Sequence, residues 1–179
     1  MNDELYDPTR IDIRHDPRAQ MMSGVAIHGN TRFEVPYISH VAGNLWQGGC
    51  ASDLALPADI VHVISLYPWE QYKLHDGVIT HEQIRAYDSD DNSEGLGGLS
   101  YDQIIAIAER VIECCETGPT LVHCQAGLNR SGLIASVVLV LSGVVETGAE
   151  AVALLREKRS PAVLCNKRFE AWIVERFNG

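Results

Sequence analysis

Over residues 1–32 polar and apolar positions follow no sustained period, and Asp, Arg, Pro and Gly recur, which predicts an N-terminal extension or irregular cover. From Phe33 the pattern tightens. β-prone pieces at 37–41 and 44–47 run up to Gly48 and Gly49 and predict a hairpin or paired edge strands opening a domain over 33–179. Residues 60–66, apolar and β-branched between Pro57 and Pro68, predict a buried strand; 78–84 alternates less cleanly. An acidic loop follows from Asp88, with Gly95, Gly97 and Gly98 as hinge points. Ser100 and Gln103 then form a capping box, and Ile104, Ile105, Ala108, Val111, Ile112 and Cys115 keep helical spacing until Gly118 and Pro119. Thr120 to His123 is a short apolar strand, 131–141 an apolar helix, and 149–159 and 167–177 amphipathic helices parted by Pro161, with Asn166 as an N-cap. Strands alternating with helices predict an α/β single domain, its central, mainly parallel twisted sheet flanked by helices and covered on both faces.

Composition narrows the setting without changing that picture. The 179 residues suit one domain, and 46% apolar with 21% charged residues is the balance of a folded chain. No run reaches the roughly 20 apolar residues of a membrane span. The longest, 133–141, is broken by Ser136. An acidic, polar start from Met1 to Asp12 fits neither a secretory signal nor a transit peptide and predicts a cytoplasmic protein. The five cysteines are odd in number, and Cys114 and Cys115 are neighbours on a helix, so reduced thiols are expected. A net charge of -10 repels nucleic acid and anionic lipid, so an anionic substrate must be captured by local groups. No His-x-x-x-His or Cys-x-x-Cys pair occurs, and neither a metal nor a cofactor is expected.

The local capture site is the run His123-Cys124-Gln125-Ala126-Gly127-Leu128-Asn129-Arg130-Ser131-Gly132, between a strand and a helix. A bare Cys-x5-Arg is weak. It gains weight from the preceding His, the central Gly, the hydroxyl after the Arg and the strand-loop-helix setting. Consecutive backbone amides curling into a helix N-terminus cradle an anion, and phosphate is the natural occupant. Cys124 at the floor of that cradle feels the same positive field, which favours its nucleophilic thiolate. Arg130 adds a planar fork to two phosphate oxygens, a geometry lysine does not copy. Ser131 is placed to donate to the sulfur as it departs, and Gly127 supplies a backbone conformation or close approach that a Cβ obstructs. Gln125, Ala126, Leu128 and Asn129 complete the phosphate-binding loop.

These residues resemble the cysteine-dependent protein phosphatases, specifically the small dual-specificity branch, over roughly 33–177. The loop matches the His-Cys-x-x-Gly-x-x-Arg-Ser pattern, 60–66 resembles the early core strand, and 151–177 the closing helices. The resemblance implies hydrolysis of phosphate monoesters through a phosphocysteine, with a phosphorylated protein or peptide as substrate. It also implies an aspartate on an upstream loop that protonates the leaving oxygen and then activates water. The segment 83–88 resembles the strand leading to that acid, so Asp88 is the candidate, with Asp90 and Asp91 as alternatives in the same cluster. His123 orients the loop, helps set the protonation of the thiolate, or serves only as a buried structural histidine. Cys50, Cys114, Cys115 and Cys165 are read as packing residues, and Trp69 and Tyr72 as core aromatics rather than pocket rim.

Three other readings compete. Asn two residues after the loop glycine is also favoured by the related RNA 5′-triphosphatases, but the acidic balance and the lack of a Lys/Arg-rich stripe argue against RNA. Phosphoinositide phosphatases tend to carry lysines in the loop where Gln125 and Leu128 stand here. A catalytically inactive phosphate-binding module is expected to lack at least one of the reacting groups, all of which are present. The sequence does not specify an oligomeric state.

Overall fold

The computed structural model describes residues 18, 20–25, 32–50, 54–89 and 95–179. Along these the chain forms β1 (Met21–Val25), β2 (Arg32–Pro36), β3 (Ile38–Ala42), β4 (Leu45–Gly48), β5 (His62–Ser65) and β6 (Thr80–Gln83). The short pair β7 (Gly95–Leu96) and β8 (Leu99–Ser100) leads into α1 (Tyr101–Thr117). The chain then runs through β9 (Thr120–His123), α2 (Arg130–Leu141), α3 (Gly148–Lys158) and α4 (Lys167–Arg176).

The central sheet has the order β3-β4-β9-β5-β6. β3 and β4 are antiparallel, and every other pairing is parallel, with His123 in register between Gly48 of β4 and Ser65 of β5. β9 thus enters last and sits in the middle, buried along its whole length. Central strands of parallel sheets read as unbroken apolar runs, and open α/β sheets carry their ligands beyond the carboxyl ends of the strands. The Cys124 loop leaves from that end of β9.

Side chains alternate across the sheet. Ile64 and Val122 face the main core, where Ile104, Val111, Ile134, Leu155, Phe169 and Ile173 bring all four helices onto one face. Val63 and Leu121 face the other way, where Ile38, Leu56 and Ile60 form a smaller cluster built from strand and loop residues. Both faces are covered, and among the described residues the helices lie on one of them. α2 is buried all round from Arg130 to Leu139, as expected of a helix without a polar stripe. Among the described residues no helix is long and apolar enough to cross a membrane.

Local signals hold where they are strong. The Ser100–Gln103 capping box is present at α1, and Asn166 caps α4 by accepting from the Arg168 and Phe169 amides. Three differences have physical causes. The hairpin turns at Gly43 and Asn44, where Gly43 takes φ +51°, whereas Gly48 stays in β4. The strand expected over 78–84 shortens to Thr80–Gln83, where β6 lies at the edge of the sheet and, among the described residues, pairs with β5. Within the segment read as irregular, Met21–Val25 forms a strand by antiparallel pairing with β2, a partner that period counting cannot see.

Candidate active site

The parallel ladder continues past β9: the Cys124 amide donates to Gly48 O at 3.3 Å and the Cys50 amide to Gln125 O at 3.0 Å. The chain then turns through Gly127 at φ +70°. A Cβ there would lie 2.3 Å from the Gly48 carbonyl carbon and 2.4 Å from the Arg159 guanidinium, so both conformation and space require glycine.

Between Cys124 and Asn129 every carbonyl is turned outward onto a protein donor. Cys124 O faces His123 Nδ1 at 3.4 Å, Gly127 O accepts from Arg159 Nε at 2.6 Å and from Gln47 Nε2 at 3.1 Å, and Ala126 O accepts from Arg159 at 3.4 Å. Leu128 O accepts from the Leu164 amide at 3.2 Å, and Asn129 O from the Leu133 amide at 2.8 Å. The amides of Gln125 through Asn129 donate to no acceptor among the described residues. Carbonyls outward with amides inward is the arrangement of an anion nest. Asn129 at the N-cap makes no side-chain cap bond to α2, and the first turn of α2 holds no acidic residue, so the positive end of the helix stays uncompensated.

Cys124 is buried, its sulfur 3.5 Å from Ser131 Oγ. Gln47, on β4 and fully buried, holds Ser131 Oγ at 3.2 Å while also fixing Gly127 O. Arg130 starts α2 and is anchored by one nitrogen, Nη1 donating to Ala86 O at 3.2 Å and Leu66 O at 3.4 Å. Its buried Nε meets no acceptor among the described residues.

Asp88 follows β6 and is clasped by two amides: Asn129 Nδ2 donates to Oδ2 at 2.8 Å and Asn166 Nδ2 to Oδ1 at 3.0 Å. The candidate acid is thereby joined directly to the candidate phosphate-binding loop. Asp90 and Asp91 lie outside the described residues. Asn129 Oδ1 in turn accepts from the Asn166 backbone amide at 2.9 Å, and Asn129 Nδ2 lies 3.3 Å from Cys165 Sγ.

Three supporting residues, Arg159, Gln47 and Glu70, carry no local sequence signal. Arg159, just past α3, is buried and reaches Ala126 O, Gly127 O, Gln47 O, Pro36 O, Tyr37 O and Ser39 Oγ. Burial pushes its pKa down to about 10, and the charge opposing that shift is Cys124. Gln47 acts as described above. Glu70, in the turn after β5, meets His123 Nε2 at 2.9 Å, and Tyr72 Oη lies 2.7 Å from the same nitrogen. A conserved-looking spacing would not have found them, because each is brought to the loop by the topology.

Two aromatic readings part company. Tyr72 is packed edge-on against His123, within the molecule as expected. Trp69 is 50% exposed and stands between Tyr67 and Tyr87, with the Arg130 guanidinium 5.6 Å from the Tyr67 ring, so it belongs to the rim rather than the core. All five cysteines are free thiols. Cys114 is in the core, whereas Cys50, Cys115 and Cys165 are half-buried. Burial, then Glu70 and Cys124, push the Cys50 thiol up to about 12, so it stays protonated at neutral pH.

Known proteins match this chain in sequence and in fold. The family model described as protein-tyrosine phosphatase matches residues 81–174. No curated protein matches the sequence. Among solved structures, a mouse protein described as a dual-specificity phosphatase and complexed with zinc tungstate superposes with a TM-score of 0.60 at 18% identity, covering 84% of this chain and 92% of that one. Human DUSP28 gives a TM-score of 0.57 at 15% identity, covering 80% and 97%. The human tyrosine phosphatase-like serine/threonine/tyrosine-interacting protein gives 0.58 at 16% identity, covering 78% and 94%. At these identities the likeness is one of fold.

Proposed function

The chain belongs to the protein-tyrosine phosphatase family, and on that premise we propose that it hydrolyses phosphate monoesters on phosphorylated proteins through a phosphocysteine at Cys124. The observation that carries this reading is the loop with its carbonyls turned out and its amides turned in, beside an arginine whose Nε meets no acceptor among the described residues. We take 33–179 as the catalytic unit and 1–32 as its extension.

In the first step the Cys124 thiolate attacks phosphorus and the ester oxygen departs, taking a proton from Asp88. The loop amides and the Arg130 fork hold the equatorial oxygens, and they bind more tightly as charge moves onto them. In the second step Asp88 takes a proton from water, the water oxygen attacks phosphorus, and the phosphorus–sulfur bond breaks. Ser131, steadied by Gln47, donates to the departing sulfur, and inorganic phosphate leaves with the thiolate restored. The clasp from Asn129 and Asn166 keeps Asp88 beside the loop for both proton transfers.

Phosphotyrosine is the favoured substrate, with phosphoserine and phosphothreonine secondary, because Tyr67, Trp69 and Tyr87 offer an aromatic wall beside Arg130. Free thiols throughout suit a reducing, cytoplasmic setting. The test is a panel of aryl phosphate, phosphopeptides, RNA 5′-triphosphate ends and inositol phosphates, with rapid acid quench and mass spectrometry to trap phosphorylated Cys124. Turnover of phosphotyrosine peptide with the trapped adduct is expected. Binding without hydrolysis of any member of the panel would leave a phosphate-recognition module instead.

A further inference from the structure

The segment that leads from β6 to the candidate acid runs beside Arg130. Ala86 is buried and its carbonyl accepts from Arg130 Nη1 at 3.2 Å, while Arg85 and Tyr87 on either side of it are exposed. Extended backbone imposes that alternation and puts both exposed side chains on one outer side. There they share a neighbour. The Arg85 guanidinium lies 5.9 Å from the centroid of the Trp69 ring, which also meets Tyr87 at 6.4 Å and Tyr67 at 5.4 Å. The Tyr67 ring in turn has the Arg130 guanidinium 5.6 Å from its centroid. Two arginines thus stand at the ends of one aromatic rim, Arg130 buried and Arg85 open to solvent.

Charge sets Arg85 apart. The chain carries 24 acidic residues against 14 lysines and arginines, so carboxylate partners are plentiful. Arg110, Arg156, Lys158 and Lys167 each lie within 3.1 Å of one. Among the described residues Arg85 meets no carboxylate and no other hydrogen-bond acceptor, and its charge rests on the Trp69 face. A guanidinium stacked on an indole keeps its N–H edges free, because the ring takes up the face of the ion and the donors lie in its plane. Stacking also restrains the long side chain, so less freedom is lost when an anion binds. Two coplanar oxygens fit that edge, and on a peptide they are the carboxylate of Asp or Glu. Arg85 is the only lysine or arginine between Lys73 and Arg110. An isolated cation reads one carboxylate, whereas nucleic acid or an anionic lipid surface calls for a field of several.

We propose that Arg85, seated on Trp69, is a specificity-determining residue that selects phosphotyrosine peptides bearing an Asp or Glu a few residues from the phosphorylated one. The inference rests on the phosphatase reading and adds the substrate class to it. Arg130 and Arg85 are linked through Tyr67 and Trp69 by three contacts of under 6 Å each. An extended peptide advances about 3.4 Å per residue, so a phosphotyrosine held at Arg130 brings to Arg85 a side chain within about four residues of it. The contact is the same in the ground state and the transition state, so it acts on KM rather than on kcat.

The experiment takes one phosphotyrosine peptide and places Glu or Gln in turn at each of four positions on either side. On the wild-type protein at low salt, Glu at a favoured position should raise kcat/KM roughly 5-fold through KM, the scale of one well-oriented exposed ion pair, and added salt should shrink the gain. Arg85→Gln should bring the Glu and Gln peptides to equal kcat/KM, and Arg85→Glu should turn the preference toward Lys at the same position. Arg176→Gln removes another exposed arginine that lies over a ring, Phe177, at the end of α4, and should leave the preference as it is. A wild-type protein indifferent to Glu, or a preference that survives in Arg85→Gln, overturns the proposal. So does an Arg85 effect confined to inositol phosphates or RNA ends. Should Arg85→Gln not fold, Arg85→Glu decides. If the wild type hydrolyses none of these peptides the proposed function falls, and calorimetric binding of the Glu and Gln peptides to the same proteins still judges Arg85.

Discussion

The loop from Cys124 to Arg130 and the segment carrying Asp88 meet at Asn129, yet they are held in different ways. The loop is gripped through its backbone: strand ladders on one side, the Arg159 fork beneath and the Leu164 amide at the far end, all buried. The Asp88 segment is tethered by side-chain amides from Asn129 and Asn166, and by the Tyr87 amide on Gly97 O at 2.8 Å. Backbone anchoring in a low-dielectric core fixes geometry whatever side chains the loop carries, whereas a side-chain clasp is released by one rotamer change. A rigid cradle beside a releasable acid suits a reaction in which the phosphate must stay in place while a proton donor comes and goes.

Five substitutions bear on this contrast, in falling order of expected effect. Cys124→Ser should abolish turnover and leave vanadate or phosphopeptide binding measurable by calorimetry; surviving activity would remove the cradle from the mechanism altogether. Asp88→Ala should lower kcat by about 10²-fold for alkyl phosphates and far less for an aryl phosphate with a good leaving group. Equal losses on both substrates would move the acid to Asp90 or Asp91. Arg159→Met strips donors from several buried carbonyls at once, and urea titration should find about 3 kcal/mol of stability lost together with weakened phosphate binding. Asn129→Ala should do the opposite: a several-fold fall in kcat for poor leaving groups, with stability changed by about 1 kcal/mol or less. If Asn129→Ala unfolds the protein and Arg159→Met does not, the contrast between the two regions is reversed.

The smallest effect concerns acid stability. Burial pushes the Glu70 carboxyl up, but hydrogen bonds from His123, Ser65 and Gln83 outweigh it and hold the pKa at about 2, below its ordinary value of 4.5. The stabilisation is therefore complete above pH 4.5 and disappears as the pH falls from 4.5 toward 2. Thermal melts across that window should flatten in Glu70→Gln relative to wild type, and parallel curves would place the proton elsewhere.

What could be read from the sequence was what is local. The His123–Ser131 run, the α1 capping box and the Asn166 cap each declare themselves within a few residues, because the hydrogen bonds they announce close over short spans. The β9–loop–α2 junction belongs to the same class. Arg159, Glu70 and Gln47 were out of reach for the converse reason: they meet the loop 32, 53 and 80 positions away in sequence, separations that only the strand order brings together. The one-sided placement of the helices was hidden likewise, since a short apolar strand such as Leu121-Val122 does not say which of its faces a helix will cover. Asn129 was legible as a loop member but not as a clasp, because its partner Asp88 comes from another strand's end.

The reach of Arg159 to Ala126 O, Gly127 O and Pro36 O has a consequence for how the molecule is made. Synthesis proceeds from the N-terminus, so the loop segment 124–130 leaves the ribosome before the guanidinium that seats it. On a nascent chain that loop lacks its buried donor until the segment through Arg159 has emerged.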